Sequence, residues 1–136
     1  MPSKKFEFLE HTADIKFRTS GKNLNEVFEN VVLAVAYYLT GGVKIGNKEQ
    51  RKIFLEKDNL ESLMYSFIDE IIYLLDSSAF LVSKAEIQIS GNKLIGILYG
   101  DSAQKYEISQ IKAATYAEMH IKENLKGWEA QVVLDV

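Results

Sequence analysis

The residues of this 136-residue chain whose types and settings could do chemistry fall in three places. The first is His11-Thr12-Ala13-Asp14, a polar step inside an alternating stretch, where a strand junction could mount a reactive group on a rigid frame. Taken alone it is equally a turn, with Thr12 and Asp14 capping backbone amides and His11 a hydrogen-bonding surface residue. The second is Asp135, which interrupts the apolar run Val132-Val133-Leu134 just before Val136. Its side chain and a main-chain carboxylate on Val136, if the chain ends there, would make an oxygen cluster of the kind hard cations prefer. The plain alternative is a lone charge that keeps an edge strand from pairing with another chain. The third is Ile111 to His120, where strand alternation sends Lys112, Ala114, Tyr116 and Glu118 to one side and Ala113, Thr115, Ala117 and Met119 to the other. A Lys, a Tyr and a Glu on one face could dock a partner or sense phosphate, but an ordinary solvated face has the same composition.

Other chemistries find no support. Cys is 0, which excludes thiol nucleophiles, disulfide scaffolds and thiolate metal sites. His11 and His120 stand in no metal-ligand spacing, and the sequence has no GxSxG elbow, no GxGxxG turn and no GxxxxGK[ST] loop. Tyr37-Tyr38, late in an apolar-faced segment, reads as core filler rather than a base-stacking platform. With Lys+Arg 16 against Asp+Glu 19 the net charge is −3, so strong direct binding to a nucleic-acid backbone is not expected. The opening residues lack the apolar run of a leader and no stretch reaches the roughly 20 apolar residues of a membrane span, so a soluble cytoplasmic protein is expected.

The elements that must position these residues follow from periodicity. Lys5 to Thr19 alternates in steps of two, giving two strands broken near Glu10-His11-Thr12. Asn23 with Glu26 three residues on is a capping box, and Leu24, Val27, Phe28, Val31, Val35 and Leu39 make the apolar face of the helix it opens, which Gly41-Gly42 ends. A turn at Gly46-Asn47 leads into a strand holding Ile53, Phe54 and Leu55. Asp58-Asn59-Leu60-Glu61 repeats the capping logic ahead of a second helix with an apolar stripe from Leu60 to Leu75. After Asp76-Ser77-Ser78, strands are expected over Phe80–Ile89, Leu94–Tyr99, Ala113–Ile121 and Trp128–Val136, with turns at Gly91-Asn92 and between Asn124 and Gly127. The expectation is one α+β domain spanning 1–136, a two-layer sandwich with an antiparallel or mixed sheet packed on two amphipathic helices.

Taken in order, these segments resemble the archease family. Phe8-Leu9-Glu10-His11-Thr12-Ala13-Asp14 is similar to its opening H-T-A-D signature, Gly21-Lys22-Asn23-Leu24 to the start of its first helix, and Leu60 to Leu75 to its second. Ile111-Lys112-Ala113-Ala114-Thr115-Tyr116 resembles its K-A-[VIA]-T-Y strand, and Gly127-Trp128 with Leu134-Asp135-Val136 its closing G-W … L-D-[IV]. Ala117 stands where archeases commonly carry His, so no role of that His passes to this chain, and Ser102 to Ile108 aligns with no family pattern.

The resemblance implies a metal site formed by Asp14, Asp135 and an oxygen of Val136, holding Ca²⁺ or, as oxygen chemistry equally allows, Mg²⁺ or Mn²⁺. It also implies a non-enzyme, an accessory factor that promotes guanylylation and repeated turnover of an RtcB-type RNA-splicing ligase. His11, Lys112, Tyr116 and Glu118 are the candidates for acting on that partner. The alternatives are a chaperone or specificity modulator of a tRNA methyltransferase and, more distantly, a metal-dependent hydrolase.

Overall fold

A computed structural model describes residues 5–11 and 13–136, so the capping role considered for Thr12 lies outside the described residues. Seven strands and two helices run in the order β1 (Phe6–Leu9), β2 (Ile15–Gly21), α1 (Leu24–Thr40), β3 (Glu49–Glu56), α2 (Leu60–Ser78), β4 (Phe80–Ser90), β5 (Lys93–Ser102), β6 (Ala113–Asn124) and β7 (Gly127–Asp135). A short 3-10 turn, Ala103–Lys105, follows β5. All strand pairs are antiparallel.

The α+β class is as expected, but the strands form two sheets rather than one: β1-β2-β7-β6 and β3-β5-β4. Part of the reason lies in α1. Asn25 Oδ1 accepts the Ile89 amide at 2.8 Å and the Glu29 carboxylate accepts the Ile87 amide at 2.9 Å. Helix side chains thus occupy two donors of β4 that another strand would need, which closes that edge.

Both helices touch both sheets, α1 through β1, β2, β7 and β4, and α2 through β6, β3 and β4. That explains why α1 buries Val32, Ala34 and Ala36 in addition to the expected stripe. A helix between two sheets needs apolar residues around most of its girth, and here small Ala side chains let a sheet approach. Phe28 and Phe67 meet at the centre, with ring centroids 5.6 Å apart and both residues fully buried.

The helix ends follow local chemistry. Asn23 Oδ1 accepts the Glu26 amide at 3.0 Å, while the Glu26 carboxylate returns to the Lys22 amide rather than to that of Asn23, so the box is displaced by one residue. Gly41 ends α1 at φ 68, a left-handed conformation that costs glycine little. Within the expected segment Asp58-Asn59-Leu60-Glu61 the cap of α2 is Asn59, whose side chain accepts the Ser62 amide while the Ser62 hydroxyl accepts the Asn59 amide. Among the described residues no helix is long and apolar enough to cross a membrane.

Candidate functional site

The pairing of β2 with β7 brings the two ends of the chain together. Ile15 lies opposite Leu134, so the connection that carries Asp14 enters β2 beside the end of β7 that carries Asp135. Alternation puts Phe17, Thr19, Val132 and Leu134 toward the core, and Lys16, Arg18, Gln131, Val133 and Asp135 on the other face. β6 adds to this end of the sheet: Ala113 pairs with Asp135, and the Lys112 amide donates to the Asp135 carbonyl oxygen at 2.8 Å. The tertiary structure therefore assembles Asp14, Asp135 and the Lys112 backbone at one sheet end, with Asp14 and Val136 half-buried and Asp135 and Lys112 exposed.

The alternation expected along β6 does not hold. Thr115 pairs with Val133 and His120 with Gln131, so five steps on β6 face two on β7, and the extra residues form a bulge over 116–119. Ala114, expected on the polar side, is buried against the core at 4% exposure. Tyr116 leaves the sheet plane and stacks on Tyr65 of α2, centroids 4.5 Å apart and planes within 9°. Glu118 takes φ 52, a left-handed conformation unusual for a residue with a Cβ.

The bulge turns Glu118 back over the sheet. One carboxylate oxygen meets His11 Nε2 at 2.9 Å, and the other accepts from Lys16 Nζ at 3.0 Å. These two contacts hold the Glu118 carboxyl below its ordinary value, the hydrogen bond from His11 first and that from Lys16 second. The Glu118 carbonyl is held too, since Gln131 Nε2 donates to it at 2.7 Å while Gln131 Oε1 accepts from Arg18 Nε at 2.8 Å. Further along the same face His120 Nε2 lies 2.8 Å from a Glu129 carboxylate oxygen.

Of the residues expected from sequence, the fold joins Lys112 with Asp135 through the backbone and His11 with Glu118, and it brings the segment bearing Asp14 to the same sheet end. Tyr116 points away, to α2. Lys16, Arg18 and Gln131 were not singled out, and Gln131 carried the readable signal: an amide beside the apolar run Val132–Leu134, only 5% exposed, must find partners. Tyr37, read as core filler, is 51% exposed and instead packs its ring at a tilt against Phe6 and Phe8.

The unaligned segment after β5 has a structural task. Asp101 accepts the Ser102 amide at 2.8 Å, Lys105 Nζ at 2.9 Å and the Tyr106 hydroxyl at 3.0 Å, and that hydroxyl in turn accepts the Gly46 amide. Lys105, followed by these amide and hydroxyl donors, lowers the Asp101 carboxyl. The network ties the 3-10 turn to the loop before β3.

Comparison with known proteins gives this geometry its context. The model of the Archease protein family matches residues 6–136. The chain belongs to the archease family. Protein archease of Pyrococcus furiosus is 38% identical over 141 residues, covering 98% of this chain and 99% of its own. That of Methanosarcina barkeri is 36% identical over 141 residues, covering 98% and 97%. A solution structure of a Methanobacterium thermoautotrophicum protein superposes with a TM-score of 0.84 at 30% identity, covering 97% of this chain and 99% of that one. A Thermotoga maritima archease crystal structure, described as a possible chaperone, shares the fold at a TM-score of 0.66 and 23% identity, covering 100% and 98%. The archease-like segments around Asp14, Lys112 and Asp135, far apart in sequence, thus meet at one end of one sheet.

The donor chemistry suits a hard divalent cation, because Asp14 and Asp135 offer carboxylate oxygens and the strand end adds main-chain oxygen. Among the described residues no three His, Cys, Asp or Glu side chains group closely enough to hold a metal ion.

Proposed function

We propose that this archease is an accessory factor of an RtcB-type RNA-splicing ligase, promoting its GTP-dependent guanylylation and multiple turnover in tRNA splicing and RNA repair. The observation that supports the reading is the β2–β7 pairing, which brings the start of β2, next to Asp14, beside the end of β7, next to Asp135, in a chain matched by the archease family over residues 6–136. Two carboxylates gathered at that sheet end would repel each other unless a cation or proton lay between them. A divalent cation, Ca²⁺ first and Mg²⁺ or Mn²⁺ as alternatives, would supply the neutralising charge and bind the β2 start to the β7 end. Asp14 and Asp135 would hold it with a main-chain oxygen of Val136.

The chain's own part is then to present a shaped, acidic sheet end to the ligase. Lys112, anchored by its backbone beside Asp135, is free to reach a phosphate or an acidic ligase residue. An accessory protein needs no nucleophile with a paired base and no phosphate loop of its own, which agrees with the sequence.

RNA joining under multiple-turnover conditions tests the proposal, using a cognate RtcB-type ligase with GTP and Mn²⁺ and this protein present, absent or carrying Asp14→Ala. Stimulation by the wild type and not by the variant is the expected result. No stimulation of a competent ligase overturns it and favours the second reading, a chaperone or specificity modulator of a tRNA methyltransferase. That reading draws on the Thermotoga maritima relative's description as a possible chaperone.

A further inference from the structure

Asp14 sits in the five-residue connection between β1, which ends at Leu9, and β2, which starts at Ile15. A surface connection of that length has no reason to hold one carboxylate still. Here, however, a single side chain grips both sides of Asp14. Glu118 meets His11 three residues before it and Lys16 two residues after it, at 2.9 and 3.0 Å. The grip comes from a different strand, β6, two places away in the sheet order from β2.

The backbone that delivers Glu118 is unusual in the same place. Its φ of 52 is one of two positive values among the described non-glycine residues, and the other, Ala79, merely ends α2. A side-chain-bearing residue persists in that conformation only where its surroundings hold it. The holding contact is visible: Gln131 on β7 donates to the Glu118 carbonyl at 2.7 Å and is itself fixed by Arg18 of β2 at 2.8 Å. The chain of contacts starts on β2, crosses β7 to β6, and returns to the connection bearing Asp14. Gln131, a link in that chain, and Val133 beside it on β7 are buried although they belong to the face opposite the core.

We infer that Glu118 is a positioning residue: held in its bulge by Gln131, it clamps His11 and Lys16 so that Asp14 is fixed beside Asp135 for cation binding. The inference rests on the reading of Asp14 and Asp135 as a cation site. It assigns Glu118 to the shaping of the site rather than to contact with the partner. The residue that orients a ligand from outside the coordination sphere typically changes affinity by about 10–100-fold when removed.

Glu118→Gly separates the two roles of the position. Glycine adopts φ 52 without strain, so the bulge is kept or favoured while the carboxylate is lost. Calorimetric titration with Ca²⁺ and with Mn²⁺, in the absence of any ligase, is run on wild type, Glu118→Gly, Glu118→Gln and Asp14→Ala. Amide exchange by NMR is followed on residues 10–16 and on β6–β7. The expected result is binding by the wild type, none by Asp14→Ala, affinity about 10–100-fold weaker in Glu118→Gly, and partial recovery in Glu118→Gln, whose amide can still bridge Lys16 and His11. Exchange should quicken in residues 10–16 while β6–β7 stays protected.

Wild-type affinity in Glu118→Gly, or unchanged exchange in residues 10–16, overturns the positioning role and leaves the cation reading standing. Loss of β6–β7 protection in both Glu118 variants also overturns it, since the affinity loss would then reflect a broken sheet. A wild-type chain that binds neither of these cations, nor Mg²⁺ titrated in the same way, overturns the cation reading and this inference together.

Discussion

Replacing Gln131 by Leu should unseat the bulge, and its cost can be worked from the contacts. Leucine has nearly the same length and fills the buried position, so little packing is lost. What disappears is the donor to the Glu118 carbonyl at 2.7 Å and the acceptor for Arg18 Nε at 2.8 Å. A neutral hydrogen bond is worth about 1 kcal/mol and one to a charged group about 1.5–3 kcal/mol, with the half-buried Arg18 taking the lower figure because water can replace its partner. The gross loss is about 2.5 kcal/mol. Once released, Glu118 can leave its left-handed conformation and recover about 1 kcal/mol. The net destabilisation is therefore about 1.5 kcal/mol, or a melting midpoint lower by about 5 °C for a domain of this size. In a Glu118→Gly background no strain remains to be recovered, so the same substitution should cost about 1 kcal/mol more. Urea denaturation of the four proteins of that cycle measures both figures. A Gln131→Leu loss below about 0.5 kcal/mol, the range of an ordinary surface change, would refute the claim that Gln131 holds the bulge.

Three further outcomes follow from the same structure. Phe67→Ala removes a fully buried ring packed on Phe28 and should cost about 3–5 kcal/mol in chemical denaturation; a smaller loss would mean the two-sheet core collapses onto the gap. Glu118 and Asp101 both have lowered carboxyl values in the folded chain, so each contributes stability that is present above its unfolded value and is lost as pH falls through the lower folded one. Glu29, raised by burial, works in the opposite sense. Asp101→Asn should accordingly flatten the fall of stability below about pH 4, and an unchanged acid limb in pH-dependent denaturation would contradict that. Finally, Ca²⁺ at about 100 times its dissociation constant should stabilise the wild type by about 2.7 kcal/mol, and Asp14→Ala should remove the rise; equal shifts in both proteins would place the cation elsewhere.

The sequence alone determined most of the elements, because their causes are local. Asn23 and Asn59 start helices by accepting nearby amides, Gly41 ends one by turning left-handed, and alternating stretches mark most of the strands within a few residues, β3 being signalled instead by the short apolar run Ile53 to Leu55. It also held the order of segments that resembles the archease family, and with it the expectation that Asp14 and Asp135 act as a pair. What only the tertiary structure decided is everything that depends on which strand lies beside which. The division into two sheets depends on α1 reaching the edge of β4 through Asn25 and Glu29, residues that look solvent-facing on a helical wheel. The β6 bulge depends on Gln131 and Tyr65, 13 and 51 positions away from the residues they hold, Glu118 and Tyr116. Simple alternation could not foresee it, since it assumes one residue facing one residue along the whole ladder. The grip of Glu118 on His11 crosses 107 positions of chain, and nothing local to either residue encodes the other; the fold supplies that contact by inserting β7 between β2 and β6.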